Sequence, residues 1–257
     1  MRLSHRVALN GVQLDSIDSR ILVQGVDEAA GKDQISTVSL FGGSGQRITN
    51  QHRDSLDVTV RFSIDIKKTN MQARNDVFEK VCAWAAGGGW LTLNYKAGRR
   101  LNVVCAQLPA AGDMWNWTNT YSIVFRACGV PYWQQDTPGR LNATGSTITR
   151  QIGVAGSATT VLDISFRCNS GTCSTFRVTA GSSMIELTGL SLSAGQTLVI
   201  DHTADGLLRI TAGGVSALGK RTAASSDDLY VEPGTVTVTV TTQGSGSLTI
   251  SCAGRYA

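Results

Sequence analysis

The sequence predicts a mainly β protein with two domains and one substantial helix, and three observations support this. Residues 56–66 alternate strictly between apolar and polar side chains, which is the period of a strand with one buried face. Apolar residues then recur at intervals of three and four up to Ala85, as on one face of a helix. From about Val154 onward, short alternating stretches follow one another without a convincing helix, which is typical of an antiparallel β-sandwich.

Composition agrees with this fold class and limits the function. Hydrophobic residues make up 42% of the chain, so it can form a core, and 28 Gly against 4 Pro favour short strands with tight turns. Charged residues are only 16%, which suggests that much of the surface faces other subunits. The net charge of +4 is scattered, without a basic run, which argues against a nucleic-acid binder.

The N-terminus and the cysteines indicate the compartment. The first twelve residues are polar and mixed, so they predict no secretory signal peptide, and no apolar stretch approaches the length of a membrane span. We therefore expect synthesis in a cytoplasm and six Cys that act as buried small hydrophobes. Cys168 and Cys173 flank a hairpin-like tip and could bridge under oxidation, which the sequence leaves open.

A hairpin and a long loop are predicted before the alternating strand. Asn10-Gly11 is a hairpin turn signal. The apolar residues expected in the hairpin strands are Val7, Leu9, Ile21 and Val23. Residues 27–53 show little periodicity and are glycine-rich at 42–45, so they predict a long loop that an outside partner orders.

The helix has start and stop signals. Thr69 followed three residues later by Gln72 predicts a capping box, and Gly87-Gly88-Gly89 predicts the end of the helix. Further strands are predicted around 90–95, 101–108 and 115–128, and the first domain closes at Val130-Pro131-Tyr132-Trp133. The polar, turn-rich residues 136–150 predict a linker between a first domain of residues 1–135 and a second of residues 151–257.

No catalytic, cofactor-binding or metal-binding residue is predicted. His5, His52 and His202 do not occur at metal-ligand spacings, and no nucleophile elbow or phosphate-binding loop is present. The nearest candidate site is Asp201-His202 with Asp205, for which a β-turn with side-chain caps is the favoured interpretation. Paired carboxylates that meet only in space remain open.

Two tryptophans offer a possible sugar-stacking surface. Trp115 and Trp117 could stack on a sugar ring, but they are in phase with Tyr121 and Ile123, which are expected to face the core. Core packing is therefore the favoured role for both tryptophans.

Five segments follow one another along most of the chain: Leu56–Ile66, Val77–Val81, Phe125–Trp133, Leu190–Asp201 and Asp228–Gly234. In this order they resemble segments of the distal tail proteins (Dit) of long-tailed bacteriophages. The resemblance implies an N-terminal split β-barrel with one α-helix and a C-terminal galectin-like antiparallel β-sandwich. It also implies a homohexameric ring at the virion tail tip, which joins the tail tube protein to the hub or tail-fibre proteins and catalyses no reaction.

Other functions remain open from the residues alone. The chain could be another β-rich tail component, such as a tube or tail-completion protein. It could instead be a carbohydrate-binding module that recognises a host surface glycan, or, with no supporting constellation of residues, a wall hydrolase. No sequence-specific nucleic acid is expected as a partner.

Overall fold

The computed structural model describes residues 5–29, 33–39, 46–53, 55–66, 70–110, 120–203 and 206–257, and the chain divides into two units, Met1–Trp133 and Gln134–Ala257. The helices are α1 (Leu14–Ile17), α2 (Met71–Ala86) and a 3-10 turn, Leu218–Lys220. Strands of the first unit are β1 (Val7–Leu9), β2 (Val12–Gln13), β3 (Ile21–Glu28), β4 (Asp33–Ser39), β5 (Gln46–Arg53), β6 (Asp57–Ile64), β7 (Gly89–Leu93), β8 (Arg99–Gln107) and β9 (Thr120–Ala127), and β10 (Trp133–Gln135) spans its boundary. The remaining strands are β11 (Gly139–Val154), β12 (Thr160–Cys168), β13 (Thr172–Ala180), β14 (Ser183–Ser193), β15 (Thr197–His202), β16 (Leu208–Ala212), β17 (Val215–Ser216), β18 (Tyr230–Val231), β19 (Gly234–Cys252) and β20 (Arg255–Tyr256). The predicted mainly β class is confirmed.

The first unit is built on a sheet that curls into a half-barrel around α2. Its described strands lie in the order β2-β1-β7-β8-β9-β6-β3. The alternation predicted for residues 56–66 is confirmed, because Val58, Val60, Phe62 and Ile64 of β6 are all buried on one face. The buried residues of α2 that complete this core are Arg74, Val77, Phe78, Val81 and Ala85.

The start of α2 differs from the prediction, and its end does not. Asn70 is the N-cap, because its side-chain oxygen accepts a hydrogen bond from the backbone N–H of Ala73 at 3.1 Å. The capping box of Thr69 and Gln72 is therefore wrong in its cap residue: Asn is among the best N-caps, and Thr69 lies outside the described residues. Gly87 is the C-cap, so the predicted stop at the glycines is confirmed.

The N-terminal hairpin is shorter than predicted. Asn10 and Gly11 both have positive φ, and they form the turn between β1 and β2. Ile21 and Val23 belong instead to β3, which pairs with β6, and the single turn of α1 intervenes. Apolar residues on both sides of a predicted turn therefore did not show which strands pair with each other.

The second unit is an antiparallel β-sandwich, as predicted. The N-terminal half of β11 and the C-terminal half of β19 pair with each other and lead to β12, β15, β16 and β17. The other halves of these two strands lead to β13 and β14. β11 and β19 thus run through both sheets as corner strands, with a register shift between Gly145 and Thr147 where they bend.

Residues 136–150 are not a linker. Most of them form the first part of β11, which pairs along its whole length with β19. The burial of β11 is low from residue 139 to 147, so a paired but largely solvent-facing strand has the polar composition expected of a linker.

The predicted loop over residues 27–53 is also wrong. Most of its described residues form an antiparallel pair, β4 and β5, which makes a separate two-stranded sheet. Its glycine-rich segment, residues 42–45, lies outside the described residues. This pair is called the β-arm below.

Candidate assembly surface

The β-arm extends from the end of the ladder between β3 and β6. Glu28 and Val58 are the last register partners of that ladder, and the N–H of Ala29 donates to the carbonyl oxygen of Asp57 at 3.0 Å. The chain therefore leaves the sheet at Glu28, passes through both arm strands and returns to the sheet at β6. Along the chain, the arm is therefore inserted between the two strands of this ladder.

The described side chains on both faces of the β-arm are exposed. Every side chain described from Gln34 to Val38 is exposed, and so are those of Arg47 and Ile48. Thr37 lies opposite Ile48 in the register, so Ile35 and Ile48 share one face and Val38 lies on the other. The exposed fractions of Ile35, Val38 and Ile48 are 53%, 56% and 56%.

An exposed pair of strands with apolar side chains on both faces is unusual for an isolated chain. A two-stranded hairpin alone is at best marginally stable in water, and bare strand edges invite pairing with another chain. The geometry of the β-arm therefore suits burial against another molecule.

Two aromatic residues hold the base of the arm. Trp133 is 1% exposed, and its Nε1–H donates to Glu28 Oε2 at 2.8 Å. The guanidinium of Arg53, at the end of β5, lies 4.9 Å from the ring centroid of Tyr132. Tyr132 and Trp133 thus contact the end of β3, which leads into the arm, and the end of β5, the last strand of the arm.

Glu28 is the centre of this anchor. Its carboxylate also accepts a hydrogen bond from the Tyr95 hydroxyl at 2.9 Å and an ion pair from Lys96 Nζ at 2.9 Å. The Lys96 ammonium lies 4.9 Å from the Trp133 ring centroid. Burial and the hydrogen bond to Glu28 raise the pKa of Tyr95 well above its usual range, so its hydroxyl remains a donor at neutral pH.

Cross-strand ion pairs lie on the outer face of the half-barrel sheet. Arg126 on β9 binds Asp57 through two hydrogen bonds of 2.8 and 2.9 Å, and Arg61 on β6 binds Asp27 at 2.8 Å. The bond to Arg126, which outweighs desolvation, lowers the pKa of Asp57. These exposed pairs each add little stability, but they fix the side chains that the sheet presents.

The histidine-centred candidate is not assembled as the sequence suggested. Asp201 binds Arg209 through two hydrogen bonds, and Asp205 lies outside the described residues. His202 is instead held by two carboxylates, with Nδ1 2.8 Å from Asp163 and Nε2 2.9 Å from Asp228. Neither partner was predicted from the sequence: Asp163 comes from β12, and Asp228 from the segment before β18.

This arrangement favours a structural histidine. Burial alone would lower the pKa of His202, but the hydrogen bonds to Asp163 and Asp228 outweigh burial and raise the pKa to about 9. The ring is then protonated at neutral pH, so neither nitrogen has a lone pair for a metal or for general-base catalysis. Over the described parts of the chain, no three His, Cys, Asp or Glu side chains are grouped to hold a metal.

The other candidate residues are either placed in packing contacts or lie outside the described residues. The His5 ring packs edge-on against Tyr95 with centroids 5.8 Å apart. Trp115, Trp117 and the side chain of His52 lie outside the described residues. All six cysteines are free thiols. Cys168, Cys173 and Cys252 are buried as predicted, whereas Cys82, Cys105 and Cys128 are only half-buried, so the prediction of six buried cysteines holds for three of them. No helix within the described ranges is long and apolar enough to cross a membrane.

No protein-family model and no curated protein sequence matches this chain. Among solved structures, it is similar to the Dit protein of SPP1, described as a paradigm of the hub adsorption apparatus in phages that infect Gram-positive bacteria. The TM-score is 0.66 at 12% sequence identity, covering 97% of this chain and 98% of that chain.

A weaker likeness is to the phage p2 baseplate in its activated conformation, with Sr or with Ca. The TM-score is 0.41 at 8% identity, over 96% of this chain and 97% of that chain, which is too low to bear on fold or function. The likeness to SPP1 Dit extends over both units, and it confirms the resemblance predicted from the sequence at the level of the fold.

Proposed function

We propose that this chain is a structural protein of a bacteriophage tail tip, whose copies form a ring that joins the tail tube to the hub and host-recognition proteins. The observation that carries the proposal is the likeness to SPP1 Dit, because it covers 97% of this chain and 98% of that chain. The proposed place of assembly is the cytoplasm of the host bacterium.

The β-arm supports ring formation. A closed ring of identical chains needs a surface on one copy that fits a different surface on the next copy, turned by a constant angle. The arm offers exposed backbone edges and three exposed apolar side chains, Ile35, Val38 and Ile48, at the end of a well-anchored sheet. We assign ring contacts to residues 1–135 and expect six copies, as the Dit resemblance implies.

The proposed role requires no reaction. Exposed backbone and apolar side chains provide binding free energy between copies. Both ring nitrogens of His202 are hydrogen-bonded to carboxylates, so neither is free for catalysis. A tail ring must also let DNA pass without holding it, which agrees with a net charge of only +4.

The proposal is tested with the purified full chain. Negative-stain electron microscopy should show single closed rings, and light scattering should give the mass of about six copies. A matched variant that lacks Gly42–Arg47 should remain folded but run as a monomer. Stacked tubes of wild-type protein would indicate a tube protein instead, and a wild-type monomer at high concentration would refute the ring.

A further inference from the structure

The outer face of the β13–β14–β19 sheet carries a hollow of about 460 Å³. Apart from buried Phe176 at its floor, the hollow is lined by polar side chains that alternate with the buried residues of the sandwich core. These lining residues are Thr175, Arg177, Thr179, Glu186, Thr239 and Thr241. The site is separate from the β-arm, and the proposed ring does not use it.

The two charged residues of the hollow are neighbours that do not pair. Arg177 lies directly opposite Glu186 on β14 and directly opposite Thr241 on β19. Cross-strand partners on one face have Cβ atoms about 5 Å apart, close enough for an ion pair. Among the described residues, however, no ion pair or hydrogen bond joins Arg177 to Glu186. The Arg177 side chain also forms no ion pair or hydrogen bond with any other described residue.

The other polar groups are also partly unused. Thr222 donates to one Glu186 oxygen, Oε2, at a long 3.3 Å, which leaves Oε1 with no partner among the described side chains. The hydroxyls of Thr175 and Thr241 make no hydrogen bond in the described structure, whereas those of Thr239 and Thr149 contact each other at 3.2 Å. The hollow therefore presents a fork of donors, an acceptor and hydroxyls that can do either.

This chemistry selects the class of ligand. An anion attracted by Arg177 meets the negative charge of Glu186 beside it, and a cation attracted by Glu186 meets Arg177. A neutral polyol avoids both conflicts, because each hydroxyl can accept from Arg177 or donate to Glu186. The volume also falls within the range of sites for small ligands.

We infer that this hollow is a binding site for a neutral saccharide, held by Arg177 and Glu186 with the threonine hydroxyls around them. The described lining has no exposed aromatic ring for a sugar to stack on, so a single site binds weakly, with a Kd of about 1–10 mM. Several copies on one assembly would strengthen binding to a polysaccharide through avidity.

The experiment is saturation-transfer difference NMR on the full chain with three probes: methyl α-glucoside, methyl β-galactoside and N-acetylglucosamine. The method detects weak ligands whether the protein is a monomer or a ring, so its result is independent of the proposed assembly. We expect saturable transfer to at least one probe. R177Q and E186Q should each weaken binding about tenfold or more, the loss of a hydrogen bond to a charged group.

R167Q is the matched control, because Arg167 is an exposed arginine on β12 in the other sheet of the sandwich. It should bind the probes like wild type, and thermal melts should show that all three variants are folded. The inference is overturned if no probe shows saturable transfer or if R177Q and E186Q bind as well as wild type. Binding of inorganic phosphate alone, lost in R177Q and strengthened in E186Q, would also overturn it in favour of an anion site.

Discussion

His202 lies between two acids that are distant from it in sequence, and this sets its charge. The pKa of about 9 means that the folded protein holds a proton on His202 where the unfolded chain, with an ordinary histidine pKa near 6.5, releases it. The contribution of this proton to stability is therefore fully present below about pH 6.5 and is lost as the pH rises through about 9.

His202→Gln tests this directly. At about pH 6 the variant should lose about 1–3 kcal/mol of unfolding free energy. This is the scale of one lost hydrogen bond to a charged group. The second acid, Asp163, is half exposed and therefore does not double the loss. Urea denaturation from about pH 6 to 9.5 should show the gap between wild type and variant shrinking as the pH rises. A difference in unfolding free energy that does not change with pH would contradict the raised pKa of His202.

Gly88 is required by its position at the end of α2. Its φ is +56°, and a Cβ there would lie 2.7 Å from the carbonyl oxygen of Val103. Gly88→Ala should therefore cost more than about 1 kcal/mol, since the left-handed conformation and the clash act together. Gly87→Ala is the control, because its φ is −73° and nothing lies within 4 Å of the added Cβ. Chemical denaturation should rank the two, and equal stabilities would contradict the clash.

At the scale of elements, the β-arm explains why some strands escape detection in the sequence. Period-2 alternation arises when one face of a strand is buried, as in β6. In β4 the described side chains of both faces are exposed, so neither face has to be apolar. Ile35 and Val38 lie on opposite faces, and no alternating pattern develops. The first part of β11 was also missed, because it is paired but its inward face is only half-buried.

The anchor at Glu28 should control how firmly the arm is held. Trp133→Phe keeps the buried ring but removes the N–H donor to Glu28, so the amides of β4 and β5 should exchange with deuterium faster. Trp84→Phe is the matched control: it removes a tryptophan N–H that donates to the carbonyl oxygen of Val12, away from the arm. If both variants accelerated exchange in the arm equally, Glu28 would not be its anchor.

At the scale of the whole molecule, the exposed apolar side chains of the arm should decide between monomer and ring. A double variant, Ile35→Asp with Ile48→Asp, places two charges on one exposed face and should leave the monomer stable, because surface changes usually cost within about 0.5 kcal/mol. Buried in a ring contact, the same charges would cost several kcal/mol and prevent assembly.

Native mass spectrometry at matched concentrations should therefore show monomers for the double variant. Val215→Asp is the control, since Val215 is 72% exposed but lies on β17 in the second unit, and it should form rings like wild type. Rings formed by the double variant would exclude this face of the arm as an assembly contact.

Periodicity along the chain was enough to predict the elements that bury one face. Residues 56–66, α2 and the short alternating stretches of the second unit carried a readable period because water is excluded from one side of each. The same pattern, with the closing Pro131-Tyr132-Trp133, was sufficient to recognise the Dit-like fold. Local signals also identified the turn at Asn10-Gly11 and the end of α2.

Which distant groups meet could be read from the folded chain alone. The contacts of His202 with Asp163 and Asp228 and of Trp133 with Glu28 depend on strand order and register, and so does the position of Arg177 opposite Glu186. Strand order follows from the packing of whole sheets and leaves no local periodicity. The β-arm belongs here too, because a strand exposed on both faces has no buried side to mark it in the sequence.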